Sequence, residues 1–253
     1  MPERERVALC VTCLVDQVVP EVGVATVRLL HRAGFEVDFP ADQTCCGQPF
    51  FNSGRHSEAA ELARRTVAIF APYDAVVLPS GSCTSMIAVE YPHLLEPWPE
   101  WHAQATALAA KTYELTSFLV ERAGWPPAAA GRLEAGRVTY HDSCHMCRLL
   151  GSREPPRELL RRCGLEVAEM AQADRCCGFG GLFSLRLPEV SNAMTGEKLR
   201  QAEAAGGQMV VTADPGCLLQ MRGMAAPDQR VEHVATVLDA RAADLKSGAE
   251  ASG

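Results

Sequence analysis

The segment Leu29-Leu30-His31-Arg32-Ala33-Gly34-Phe35-Glu36-Val37 returns later in the chain as Leu159-Leu160-Arg161-Arg162-Cys163-Gly164-Leu165-Glu166-Val167. In both copies helix-period apolar residues stop at a glycine, the residue that best accepts the left-handed backbone just past a helix end, and a short apolar strand follows. Two such units predict a duplicated domain. Further paired strands lie outward from them: Val7 to Val11 and Val138 to Tyr140 upstream, Ala75 to Leu78 and Met209 to Thr212 downstream. Each half reads strand, cysteine loop, helix, strand, Cys-Cys-Gly loop, helix, strand, cysteine loop. That alternation calls for parallel strands joined by crossover helices. The expected class is α/β, with two duplicated domains, each a small parallel sheet flanked by helices with cysteine loops at its carboxyl edge.

The cysteines follow the same duplication. Eight of the eleven form two sets, Cys13, Cys45, Cys46 and Cys83, then Cys144, Cys176, Cys177 and Cys217. The first three members of each set recur at an offset of 131 and the last at 134. Three loops per half should therefore bring four thiols to one point, which reads as two metal sites.

A chain of 253 residues buries a core without disulfide staples, so its cysteines are available for chemistry. No secretory leader and no run of about eighteen apolar residues is present, which predicts a cytoplasmic protein without a membrane span. In a reducing compartment, repeated cysteines point to metal or redox work rather than to structural disulfides. The net charge of -7, with no clustered Lys or Arg, argues against a nucleic-acid surface. Trp101 to Ala123 reads as one or two helices, and Gly124-Trp125-Pro126-Pro127-Ala128-Ala129-Ala130-Gly131 as a linker. The expected domains are 1–130 and 131–246, followed by a disordered tail at 247–253.

Adjacent cysteines are a poor zinc knuckle, because neighbouring side chains leave the backbone in diverging directions. A cluster offers several irons separated in space, so Cys45 and Cys46, like Cys176 and Cys177, would each reach a different metal atom. The glycines at Gly47, Gly81, Gly178, Gly180, Gly181 and Gly216 permit unusual backbone angles and bring amide groups close to sulfur, where such donors tune a cluster. Zinc in either half, or a strained vicinal disulfide, is the competing reading.

Cys163 reads as a small buried helix residue, and Cys10 and Cys147 as spectator thiols, since they lie on opposite sides of the repeated ligand. His141 and His145 bracket Cys144. Either is a ligand, a supporting donor or proton carrier, or simply a solvated loop residue, because the first half has Cys10 and Leu14 there. Arg148 and Arg175 flank the second site where the first has Gln17 and Thr44, so the second site is expected at the higher potential. No Gly-x-Gly-x-x-Gly after the first strand and no P-loop mark a nucleotide or flavin site.

At Thr12-Cys13-Leu14, Cys45-Cys46-Gly47-Gln48-Pro49, Pro79-Ser80-Gly81-Ser82-Cys83, Glu90-Tyr91-Pro92-His93, Ser143-Cys144-His145-Met146, Cys176-Cys177-Gly178-Phe179-Gly180-Gly181 and Gly216-Cys217-Leu218, the chain resembles the cysteine-rich Cys-Cys-Gly proteins, most closely the lactate utilization protein A family. The resemblance spans nearly the whole chain. It implies an iron-sulfur electron-transfer subunit without independent turnover, working with two other subunits and an electron donor or acceptor protein to oxidise L-lactate to pyruvate. It also implies a [4Fe-4S] cluster on each set of four cysteines. The cysteine-rich component of heterodisulfide reductase is more distantly similar; there a fifth cysteine per half supports a noncubane, catalytic cluster. Here Met86 and Gln220 stand in that fifth position. A catalytic cluster protein of that heterodisulfide-reductase type and a zinc-binding scaffold remain the alternatives.

Overall fold

The computed structural model describes residues 5–125 and 136–250, with side chains to residue 243. The first half contains β1 (Arg6–Leu9), β2 (Glu36–Asp38), β3 (Val76–Leu78) and β4 (Thr112–Glu114). The second contains β5 (Gly136–His141), β6 (Leu165–Ala168), β7 (Met209–Thr212) and β8 (Arg230–His233). All pairings are parallel, and the strand order is the same in both sheets: β2-β1-β3-β4 and β6-β5-β7-β8. The duplicated α/β class expected from the sequence is what the chain adopts.

The quoted segments fold as their glycines dictate. The helix Pro20–Arg32 ends at Ala33, Gly34 takes φ 96, and the Phe35 amide reaches back to the Leu30 carbonyl at 3.1 Å. The helix Glu154–Arg162 ends before Gly164 at φ 77. A side chain is strained at such angles, so glycine sets both turns from helix into strand.

One expectation needs correction. Among the described residues each half has four strands rather than three. Within the stretch read as helical, Thr112–Glu114 forms β4 between the helices Pro99–Ala109 and Leu115–Glu121. Three-residue strands lack the length to show a period of two, which is why β4 escapes a pattern search. The cysteine loops at the carboxyl edge run directly into helices, so that Cys13, Cys83, Cys144 and Cys217 lie in the first turns of Cys13–Val18, Gly81–Ser85, Cys144–Arg148 and Pro215–Arg222. The boundary near residue 130 lies outside the described residues, as do the side chains of the expected tail.

Strand alternation sorts the core. Val7 and Leu9 join an apolar cluster that also takes in Leu29, Leu30, Phe118, Val138, Tyr140, Leu159 and Leu238, so one core runs through both halves. Ala8 and Cys10 face the other way, into a second cluster with Phe70, Leu78, Ile87 and Tyr91. The halves are also held by Arg28 and Arg32 of the first against Asp239 of the second, and by Ser117 Oγ against Ser152 Oγ at 2.7 Å. At the carboxyl edge the packing is reciprocal. The helix Gly81–Ser85 lies against Cys144–Arg148, and Cys13–Val18 against Pro215–Arg222. The helix carrying the first cysteine of each half therefore meets the one carrying the last cysteine of the other.

Candidate metal centre

That reciprocity decides the geometry of the site. All eight cysteines of the two sets line a single cavity of about 160 Å³ between the halves. Its walls also include Thr12, Gln48, Ser82, His145, Phe179 and Asp214. Within each set the sulfurs converge: Cys46 Sγ lies 3.3 Å from Cys83 Sγ, and Cys177 Sγ 3.1 Å from Cys217 Sγ.

The backbone around each Cys-Cys-Gly turn is fixed by its glycine and by one hydroxyl. Gly47 sits at φ 85 and Gly178 at φ 96, and their amides point at Cys45 Sγ and Cys176 Sγ, each at 3.4 Å. A Cβ on Gly178 would stand 2.5 Å from the Ser191 carbonyl oxygen, so no larger residue fits. The Tyr91 hydroxyl donates to the Cys46 carbonyl at 2.7 Å, and Thr195 Oγ1 donates to the Cys177 carbonyl at 2.8 Å.

Thr12, just before Cys13, has φ 73 and ψ 148, a region that only glycine visits easily. Such an angle costs on the order of 1–3 kcal/mol and persists only where surrounding structure enforces it. It occurs here at the turn that presents Cys13 to the cavity.

Electrostatics pick out one sulfur per half. Cys45 accepts hydrogen bonds from the Cys13 and Cys46 thiols and from the Gly47 amide, which hold it far below the ordinary thiol range. Cys176 is held down in the same way by Cys144, Cys177 and the Gly178 amide. Their thiol donors Cys13, Cys46, Cys144 and Cys177 are pushed up by making those bonds and by burial. A metal bound by these sulfurs would displace whatever protons they carry.

Asp214 joins the two sites. Its Oδ1 caps the helix Pro215–Arg222, accepting from the Gly216 and Cys217 amides at 3.0 and 3.4 Å. Its Oδ2 accepts from the Ser82 amide of the other half at 2.7 Å. One buried carboxylate therefore orders the turns that carry both Cys83 and Cys217. In the first half Ser80 holds the equivalent position and caps only the Cys83 amide, at 3.2 Å. The Asp-Pro pair announces a helix start in the sequence. Its reach across to Ser82 has no local signal.

The remaining site candidates divide. His145 lines the cavity with Nδ1 3.6 Å from Cys144 Sγ. The Gly81 and Gly216 amides turn instead to the Ala213 carbonyl and to Asp214. Arg175 pairs with Glu197 at 2.5 Å and Arg148 donates to the Asp174 carbonyl at 3.1 Å, which blunts the charge asymmetry expected around the second site. Cys163 is fully buried in the core, and Cys147 Sγ faces the Cys144 carbonyl. Cys10, however, is buried in one cluster with Cys46 and Cys83 rather than standing apart from them.

The fifth-ligand positions carry other duties. Met86 is fully buried and opens a π-helical stretch, Met86–Glu90. Gln220 Nε2 donates to Ser191 Oγ and Thr195 Oγ1 at 3.1 and 2.9 Å, bracing the hydroxyls that hold Cys177 and Gly178. Asp142, next to His141, is buried against Arg157, which also pairs with Glu169 and lies 5.0 Å from the Tyr140 ring centroid. That network anchors the turn leading to Cys144.

The donor chemistry fits iron-sulfur or another thiolate-bound metal, since paired buried sulfurs and amide-supported thiolates are what such groups require. Comparison with known proteins agrees. The CCG cysteine-rich domain family matches residues 7–88 and 138–222, the two halves in turn. Lactate utilization protein A of Geobacillus kaustophilus is 49% identical over 240 residues, covering 93% of this chain and 99% of that protein. Its namesake from Bacillus subtilis is 45% identical over 240 residues, covering 93% and 100%. Among solved structures, a hypothetical protein from Helicobacter pylori superposes with a TM-score of 0.66 at 9% identity; the match covers 92% of this chain and 48% of that one, a likeness of fold alone. With two cysteine-rich domains and near-full-length relatives at this level of identity, the chain belongs to the lactate utilization protein A family.

Proposed function

We propose that the chain is the iron-sulfur electron-transfer subunit of an L-lactate-oxidising complex. Cys13, Cys45, Cys46 and Cys83 would hold one [4Fe-4S] cluster, and Cys144, Cys176, Cys177 and Cys217 the other. Such clusters supply one-electron carriers whose potentials depend on charge, hydrogen bonding and solvent access. The observation that carries the reading is the convergence of all eight cysteines on one cavity, which places the two sets side by side. The residues around them bury Cys46, Cys83, Cys177 and Cys217, direct the Gly47 and Gly178 amides at Cys45 and Cys176, and hold the two halves in register through Asp214. Electrons would come from and go to partner subunits. Among the described residues no helix is long and apolar enough to cross a membrane.

The test is anaerobic purification with iron and acid-labile sulfide analysis and EPR of the reduced protein. About eight irons per chain, four at each site, are expected. Zinc without labile sulfide would replace this reading with a scaffold role. A second reading, in which the metal centre itself turns over a 2-hydroxy acid or a disulfide, draws on the shared cavity, which is lined by polar Ser82, Asn52 and His145 as well as by sulfur. Turnover by the isolated chain would establish it.

A further inference from the structure

We propose that His141 is a nitrogen ligand of the second metal site, supplying one protein ligand there in place of one of the four thiolates, from a position beside Cys177 and Cys217. The inference rests on the cysteines being metal ligands but not on the type of metal. His141 is the last residue of β5 and is fully buried. Neither Nδ1 nor Nε2 has a hydrogen-bond partner among the described residues. A neutral imidazole carries one donor and one acceptor, and each left unpaired inside a protein costs about 1–3 kcal/mol. Buried polar atoms are almost always satisfied, so an imidazole with two orphan nitrogens implies a partner other than the protein.

The neighbours say what that partner is. A ring nitrogen of His141 and the sulfurs of Cys177 and Cys217 all lie within 4.8 Å of one another. Donor atoms around one tetrahedral ion, at about 2.0–2.1 Å for nitrogen and about 2.3 Å for sulfur, fall within that span. All three residues are buried, so the group they enclose is shielded from competing water.

His233, at the end of β8, is equally buried and also has an unpartnered Nε2, but its Nδ1 accepts from the Ala235 amide at 3.1 Å, so among the described residues only His141 leaves both ring nitrogens unpartnered. The strand register places His141, Thr212 and His233 in one row across the sheet. Thr212 Oγ1 is itself buried and without a partner among the described residues.

The duplication supports the assignment independently. The position equivalent to His141 is Cys10, 3% exposed and buried in one cluster with Cys46 and Cys83, the counterparts of Cys177 and Cys217. A strand buried on both faces ordinarily ends in Val, Ile or Leu. Both halves place a metal-binding residue type there instead, sulfur in the first and nitrogen in the second. A neutral imidazole brings one less negative charge than a thiolate, which makes the second site the more easily reduced.

The test uses the full chain labelled with [15N]histidine, purified anaerobically with iron and sulfide, reduced, and examined by pulsed EPR. A directly bound nitrogen should appear, shift with the isotope, survive His145→Gln and vanish in His141→Leu. Loaded wild-type protein without nitrogen coupling overturns the assignment while leaving the iron-sulfur reading intact, and this measurement needs no variant to fold. If the chain takes up no iron or sulfide, the iron-sulfur reading falls, and cobalt(II) titration of the metal-free protein decides His141 by itself. His141→Leu should weaken one of two cobalt sites tenfold or more, with His141→Cys restoring it in an all-sulfur spectrum. Equal cobalt affinity in wild type and His141→Leu overturns the proposal.

Discussion

Replacing Asp214 should uncouple the two sites more than it disturbs either helix, and the size of the effect can be worked out from three hydrogen bonds. Oδ1 accepts from the Gly216 and Cys217 amides and Oδ2 from the Ser82 amide. In Asp214→Ser a short hydroxyl can still cap its own helix, as Ser80 does for the Cys83 amide. It is too short to reach the other half, so the Ser82 amide loses a charged acceptor, at a cost of about 1.5–3 kcal/mol. Asp214→Ala removes the cap as well, adding about 1 kcal/mol. The assay is equilibrium urea unfolding of the metal-free full chain, because bound metal would add its own stabilisation to the native state. Both variants should lower the midpoint with an unchanged slope, alanine more than serine. If serine and alanine variants unfold together, or both stay within about 0.5 kcal/mol of wild type, the two-way cap described here is wrong.

Three further outcomes follow from the same structure. Cys46→Ser and Cys177→Ser should each remove about one cluster's worth of iron after anaerobic purification, and unchanged iron in either would sink the ligand assignment. Arg157→Leu leaves the buried Asp142 carboxylate only Arg153, at 3.1 Å, and should cost about 3 kcal/mol in urea unfolding, whereas loss of a surface ion pair such as Arg55 with Glu58 should cost under about 1 kcal/mol. Glu114 caps the helix Leu115–Glu121, and burial raises its pKa from 4.5 to about 7, so its protonated form suits the fold. The stability it contributes is present below about pH 4.5 and is lost as pH rises through about 7. Glu114→Gln should therefore gain on wild type between pH 5 and pH 8, by up to about 3 kcal/mol in unfolding free energy, and parallel pH profiles for the two proteins would contradict this.

Much of the site is legible in the sequence because ligand spacing is a local property. A helix that stops at Gly34 or Gly164 and a Cys-Cys-Gly turn that needs Gly47 or Gly178 write their backbone angles into residue type. Cys10 reads as a bystander because, in sequence, it flanks Cys13 on the side opposite to Cys147. Its place beside Cys46 and Cys83 depends on which face of β1 points toward the Cys-Cys-Gly turn. His141 keeps several possible roles in the sequence for the same reason. Strand alternation turns it inward, but only the packing of β5 against β7 puts its ring near Cys177 and Cys217.

Sequence alone settles the duplication, the parallel α/β class, the two sets of four cysteines and the family, since each depends on periodicity, residue type or spacing along one stretch of chain. The shared cavity, the double cap by Asp214 and the buried positions of Cys10 and His141 come only with the tertiary structure. They depend on how two similar halves pack, first-cysteine helix against last-cysteine helix, and that contact is set by a core running through both sheets rather than by any local pattern.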